Sequence, residues 1–249
     1  QAHGIRSIAM PPLGCSNGGL NWSVVKPIIE EKLRLLDNQL EVRLFEPTGA
    51  PAADTMVVRT ERPPMSAARA VLIKLLSAYR ETGYLLSKIE VQKLAYFGYV
   101  LGEMPRLKYQ KHQYGPYADN LRHVLNDMQG HYITGVGDHD TAEAQIAVAD
   151  GAIEEADHFL AQHPESLQRL DSISRAISGF ETPYGMELLA TVHWVAKNDV
   201  EVPTVENVMQ GIHQWEPNKP AWGDRKKALM QEAHVKIALD RLKDTGWIQ

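Results

Sequence analysis

A short apolar run, Ile5 to Met10, empties into Pro11-Pro12-Leu13-Gly14-Cys15-Ser16-Asn17-Gly18-Gly19-Leu20-Asn21-Trp22 and then into a helical pattern. This order constrains the chain more than any other feature. Trp22 to Leu36 places Val25, Ile28, Ile29, Leu33 and Leu36 on one face, and Gln39 to Phe45 alternates with period two through Leu40, Val42 and Leu44. Strand, helix, strand predicts a βαβ unit with parallel strands. Pro27 is expected early in the helix, where its missing N–H is tolerated. So small a unit cannot cover both faces of its strands and needs another body to pack on. The glycine-rich turn has two readings. It is a phosphate cradle, in which the backbone approaches an anion and the helix N-terminus points at it, or it is an ordinary strand-to-helix turn.

The rest of the chain is of another kind. Pro47 to Pro64 holds Pro47, Gly49, Pro51, Pro63 and Pro64 and reads as a linker, with Met56-Val57-Val58 as a short strand inside it. From Ser66 onward the pattern is mainly helical. Ser66 caps a helix carrying Val71, Leu72, Leu75, Leu76 and Tyr79, and Ser87 with Glu90 forms a capping box for the next. Lys108 to Tyr114 reads as extended. Gly115-Pro116 then breaks into a helix with Leu121, Val124, Leu125 and Met128 on one face. Tyr132–Val136 and Gln145–Val148 pair as a hairpin across Gly137–Thr141. Helices follow at about Gly151–His163, Pro164–Ser178, Pro183–Asn198 and Thr204–Trp215. A last one runs from Asp224 to Thr245 and ends at Gly246, with Trp247 and Ile248 as a packed tail.

With 249 residues, 44% of them apolar and 23% charged, the chain has the composition of a soluble globular protein of one large or two modest domains. No run approaches the length of a membrane-spanning helix, and no signal peptide is apparent. A single cysteine, Cys15, excludes an internal disulfide and fits a reducing, cytoplasmic setting. The net charge of −5 is unevenly spread. His123 to Gln168 lacks Lys and Arg but carries Asp127, Asp138, Asp140, Glu143, Asp150, Glu154, Glu155, Asp157 and Glu165. Lys219, Arg225, Lys226, Lys227, Lys236, Arg241 and Lys243 reverse the sign near the end. An acidic face repels nucleic acid and attracts basic proteins. The alternative is a solvated surface.

Two strings carry resemblances. Pro11 to Trp22 resembles the distal phosphate loop of macrodomains, the ADP-ribose-binding α/β fold, and in particular that of DarG-type antitoxins of DarT–DarG systems. The likeness runs from about Gly4 through Pro47. The family has Gly where this chain has Ser16 and Asp where it has Asn21. The second string joins Val91-Gln92-Lys93-Leu94 to Tyr114-Gly115-Pro116 and is similar to the Panacea-type antitoxin domain. Together they imply a chain in which residues 1–47 end a macrodomain, 48–65 link, and 66–249 form a helical toxin-binding domain. The fold class expected is an α/β remnant followed by a mainly helical α+β domain with a small hairpin.

The resemblance further implies that Gly14, Cys15, Ser16, Asn17, Gly18, Gly19 and Leu20 hold ADP-ribose in the intact parent. That parent would remove ADP-ribose from thymidine in DNA. The family's asparagine-bearing loop and its catalytic lysine, which lies upstream of the phosphate loop, have no counterpart here, so the chain is expected to be the C-terminal part of a longer protein and inactive by itself. The implied partners are a DarT-like ADP-ribosyltransferase toxin and ADP-ribose or ADP-ribosylated DNA. Asp138, Asp140, Glu143, Glu154, Glu155 and Asp157 are the expected toxin-facing charges.

No cofactor or metal is expected. His112, His123, His131 and His139, with Asp138-His139-Asp140, lack the spacing of a zinc site. His193 and His213, beside Trp194 and Trp215, read as partly buried core histidines. Tyr96, Tyr99, Tyr109, Tyr114 and Tyr117 interleave with Lys93, Lys108 and Lys111. Such a set suits a core helix plus a polar strand, a protein contact, or a groove for single-stranded nucleic acid. The last leaves a nucleic-acid-binding helical module as the alternative function.

Overall fold

β1 (Ser7–Met10) and β2 (Glu41–Leu44) pair in parallel, Ser7 opposite Glu41 and Met10 opposite Leu44, with α1 (Trp22–Leu33) between them. The computed structural model describes residues 6–15, 19–34, 40–47, 60–81, 86–136 and 146–249. Its contacts divide into two compact units, Gln1–Met56 and Val57–Gln249.

In the first unit the expected βαβ order is present. Asn21 caps α1, its side chain accepting from the Ser23 N–H at 2.9 Å. Pro27 lies deeper in α1 than the first turn, so it removes the N–H that would bond the Ser23 carbonyl. None of the unit's described residues is buried, and Ile8, Val24, Ile28 and Phe45 are exposed. Parallel strands are ordinarily covered on both faces; here Val25, Ile29, Leu33, Val42 and Leu44 are only half-buried.

The second unit holds its own core. α2 (Ala67–Glu81) packs against α5 (Ala152–Ala161), α3 (Lys88–Val100) and α6 (Pro164–Ile177). Its Val71, Leu72, Leu75, Leu76 and Tyr79 are buried, as their spacing predicts. α7 (Pro183–Asn198) runs through the middle, against α3, α8 (Val205–His213) and α10 (Glu232–Asp244). Several helix starts were written locally. Ser87 and Glu90 form the capping box of α3. Thr182 and Thr204 cap α7 and α8, and Pro begins α6 and α7. At the other end of the chain Gly246, at φ +77°, closes α10 in a Schellman arrangement. The Trp247 N–H reaches the Leu242 carbonyl at 2.8 Å, and Gly246 reaches Lys243 at 3.0 Å. Trp247 and Ile248 are thereby tucked against the core.

Two elements differ from expectation. Gly115-Pro116 does not break directly into a helix. β3 (Gln110–His112) turns back into β4 (Gly115–Tyr117) as an antiparallel ribbon, and α4 (Leu121–Met128) begins only afterwards. A two-stranded ribbon consists of edges, so Pro116 fits where a central strand would refuse it. The last helix is two: α9 (Pro220–Leu229) and α10, separated at the fully buried Met230. β5 (Ile133–Thr134) and β6 (Ala147–Val148) form the expected second hairpin, Ile133 opposite Val148. Its tip and the Met56–Val58 segment lie outside the described residues. The described residues are thus mostly helical, with three two-stranded sheets.

Candidate functional site

The loop after β1 is built around two left-handed glycines, Gly14 at φ +71° and Gly19 at φ +65°. The Leu20 N–H closes it onto the Gly14 carbonyl at 2.9 Å, and the Cys15 N–H onto that of Pro12 at 3.1 Å. The left-handed dihedral favours glycine at position 14, while the atom nearest an added Cβ, Leu20 Cδ1 at 2.7 Å, is the tip of an exposed side chain that can move aside. Gly19 and Leu20 are exposed, and Cys15 is a half-buried free thiol. Ser16, Asn17 and Gly18 lie outside the described residues. The loop delivers the chain to the N-terminus of α1, where Asn21 Oδ1 already accepts from the Ser23 N–H and, at 2.7 Å, its hydroxyl.

In the helical unit, α3 and the β3–β4 ribbon meet through the two strings that carry the antitoxin resemblance. The Gln92 side chain donates to the Ala118 carbonyl and accepts from the Ala118 N–H, both at 3.0 Å. Lys93 Nζ donates to the Pro116 carbonyl at 2.6 Å. Both side chains are buried. Tyr109 adds a bond from its hydroxyl to the Gln92 carbonyl at 2.9 Å. Gly115, at φ +91°, sits so close that a Cβ would lie 2.8 Å from Thr191 Oγ1 of α7. These residues fasten a hairpin to a helix, and they do so with buried amide and ammonium groups.

Around them lies a cluster of charges. Glu187 of α7 is buried and accepts from both terminal guanidinium nitrogens of Arg225, at 2.5 and 3.0 Å, and from Lys226 Nζ at 3.0 Å. Burial alone would raise the Glu187 carboxyl, but Arg225 and Lys226 hold it below its ordinary value. Burial pushes Lys226 down to about 8 against the pull of Glu187. Lys93, fully enclosed, falls to about 7 by burial, with Glu187 opposing and Lys226 adding to the shift. Arg225 lies over the Tyr114 ring at 4.5 Å and Lys226 over Trp215 at 4.8 Å. Trp215 is wholly buried and donates from Nε1 to the His112 carbonyl at 2.8 Å. Sequence reading passed over Glu187, Thr191, Arg225 and Lys226 as a set. The available signal was the lone acid Glu187 inside the apolar stretch Met186 to Ala196.

Of the interleaved tyrosines and lysines, Tyr96 and Lys93 are buried, Tyr99, Tyr109, Lys111, Tyr114 and Tyr117 are half-buried, and Lys108 is exposed. Tyr96 is buried and bonds His193 Nδ1 at 2.8 Å. Lys111 pairs with Asp199 at 2.8 Å, and Tyr114 underlies Arg225. His193 is a buried core histidine, held neutral by burial, which lowers it to about 4 with help from Lys197. His213 is half-buried on an open groove beside Gln210 and Lys227. No group of three or more His, Cys, Asp or Glu among the described residues is placed to hold a metal ion.

Of the acidic candidates, Glu154, Glu155 and Asp157 sit together near the start of α5, where carboxylates also favour the helix dipole. Glu154 is exposed, but Glu155 pairs with Arg62 and Asp157 with Lys74 at 2.8 Å. Tyr132 donates to Glu155 at 3.1 Å. Asp138, Asp140 and Glu143 lie outside the described residues.

The described residues hold a glycine-closed loop on a βαβ unit and, as a second unit, a separately cored helical body in which the Gln92–Ala118 and Lys93–Pro116 bonds fasten a hairpin to a helix. The chain is 40% identical over 245 residues to a protein named DNA ADP-ribosyl glycohydrolase from Thermus aquaticus, covering 97% of this chain and 64% of that protein. It is 29% identical over 259 residues to the protein of the same name from Mycobacterium tuberculosis, covering 97% of this chain and 70% of that one. No family model matches. The chain is thus similar to proteins named DNA ADP-ribosyl glycohydrolase, and it spans just under two thirds of the length of the Thermus relative.

Proposed function

We propose that the chain is the C-terminal part of a DarG-type DNA ADP-ribosyl glycohydrolase, its helical domain serving to bind and block a DarT-like DNA ADP-ribosyltransferase. The observation that carries this reading is a match running through 97% of the chain, across both units, to a protein named for that activity. Residues 1–47 would complete a macrodomain, 48–65 link, and 66–249 form the antitoxin domain. The incompletely covered apolar residues of β1, β2 and α1 suit strands that continue into a larger sheet. Gly14 to Leu20 would hold the diphosphate and distal ribose of ADP-ribose through backbone N–H groups, a role that suits the left-handed Gly14 and Gly19.

In this reading the intact parent hydrolyses the ADP-ribosyl–thymidine bond, and the chain alone does not. The test uses a single-stranded oligonucleotide carrying ADP-ribosylated thymidine, incubated with the chain and with the full-length parent. Release of ADP-ribose by the parent only is expected. Release by the chain alone would overturn the division of labour, and release by neither would overturn the glycohydrolase assignment.

A further inference from the structure

Helix α9 is fastened differently from the helices around it. Its buried residues are Gly223 and Lys226, whereas α7 buries Met186, Leu188, Leu189, Val192 and Val195. Gly223 lets the helix lie against the end of α8, since a Cβ there would stand 2.8 Å from the His213 carbonyl oxygen. The remaining grip is mostly polar and includes the Tyr184 hydroxyl, which donates to the Leu229 carbonyl at 2.8 Å. Arg225 and Lys226 converge on Glu187, and Lys226 closes over the otherwise buried Trp215. Trp222, half-buried, meets the His112 ring at 4.9 Å.

The groups facing Lys226 leave positive charge in excess. Glu187 comes from α7, Lys93 and Glu90 from α3, and Arg225 from α9 itself. Farther out are His112 of β3, Lys219 before α9, Tyr114 under Arg225, and Tyr184 near Glu187. Two buried carboxylates, Glu187 and Glu90, thus face three cations, and Glu187 is the one that bonds Arg225 and Lys226 directly. Of its own ten residues α9 buries only Gly223 and Lys226, so it has less apolar area of its own to lose on separating than α7 has.

We propose that α9 is a charge-latched flap, opening from Trp215 and the β3–β4 ribbon on its own, with Glu187 as the catch, while α3 and α7 stay folded. The latch responds to pH in a defined direction. Lys226 titrates near 8 when seated and near 10.5 when solvated, so the open helix binds more protons between those values. Closure strengthens as pH rises through that window and weakens as it falls, because the seated ammonium is the desolvated one. Those two values make opening about tenfold rarer at pH 9 than at pH 7.

Hydrogen-exchange mass spectrometry on the whole chain at pH 7 and 9, with each rate divided by the intrinsic chemical rate, tests this. The expected result is an opening of α9 not shared by α3 and α7, and about tenfold less frequent at pH 9. Glu187→Gln should lower the protection of α9 at least tenfold while α3 and α7 keep theirs. Lys226→Met, which keeps the buried stem and removes the charge, should remove most of the pH dependence. Exchange of α9 only together with α3 and α7 in the wild type, a pH-independent opening, or loss of all three helices in Glu187→Gln would overturn the proposal.

Discussion

Gln92 shows how much a single side chain carries in this fold. Its amide satisfies both backbone groups of Ala118, and nothing printed in the local sequence announces that pairing across 26 positions. Replacing it by Ala orphans a buried N–H and a buried carbonyl, each worth about 1–3 kcal/mol when left unpaired. Gln92→Ala should therefore destabilise the helical unit by about 2–4 kcal/mol, read as a lower urea midpoint at unchanged slope. A shift under about 0.5 kcal/mol, the scale of ordinary surface changes, would mean water replaces the amide and the Gln92–Ala118 bonds are dispensable. The resemblance rested on Gln92, Lys93, Gly115 and Pro116 without saying that they meet, and their contact, through the Gln92–Ala118 and Lys93–Pro116 bonds, emerges only in three dimensions. Glu187 and Arg225, 38 positions apart, form no motif at all.

Elements with their own punctuation were legible. Ser87 with Glu90, Pro164, Pro183 and Thr204 each mark a helix start that the structure keeps. The break between α9 and α10 carries no such mark, because Met230 and Gln231 are neither Gly nor Pro; burial of Met230 in the core sets it. The β4 strand was hidden because Gly115-Pro116 is an ordinary chain-breaking pair unless a partner strand and α3 lie beside it. α5 carries the acidic cluster, and there the structure tempers the charge argument. Glu155 and Asp157 are already paired with Arg62 and Lys74. Exposed pairs of this type contribute about 0–1 kcal/mol each. Replacing Glu154, Glu155 and Asp157 together by Ala should thus leave the fold intact and slow association with a DarT-like toxin at low salt, the effect fading as salt is raised. Association rates identical to wild type at low salt would remove α5 from the docking surface.

At the scale of the whole molecule, the two units differ in kind. Residues 57–249 contain a continuous apolar core from α2 through Ile248, and the described residues before Met56 contain no buried residue. The sequence foretold this contrast from the shortness of the βαβ segment and from the helical periodicity after Ser66. It did not foretell the buried charge cluster, since a charge enclosed by tertiary contacts leaves no periodic trace. The proposed division follows from the contrast: the self-cored unit meets a protein partner, and the loop on the open βαβ unit serves a ligand only within the longer protein. Titration calorimetry of this chain against a catalytically inactive DarT-like toxin, with free ADP-ribose as a second titrant, tests that division most directly. Tight binding of the toxin with no heat from ADP-ribose is the predicted result. Binding of ADP-ribose without binding of the toxin would contradict it, making the loop a competent site in this chain and the helical unit something other than an antitoxin domain.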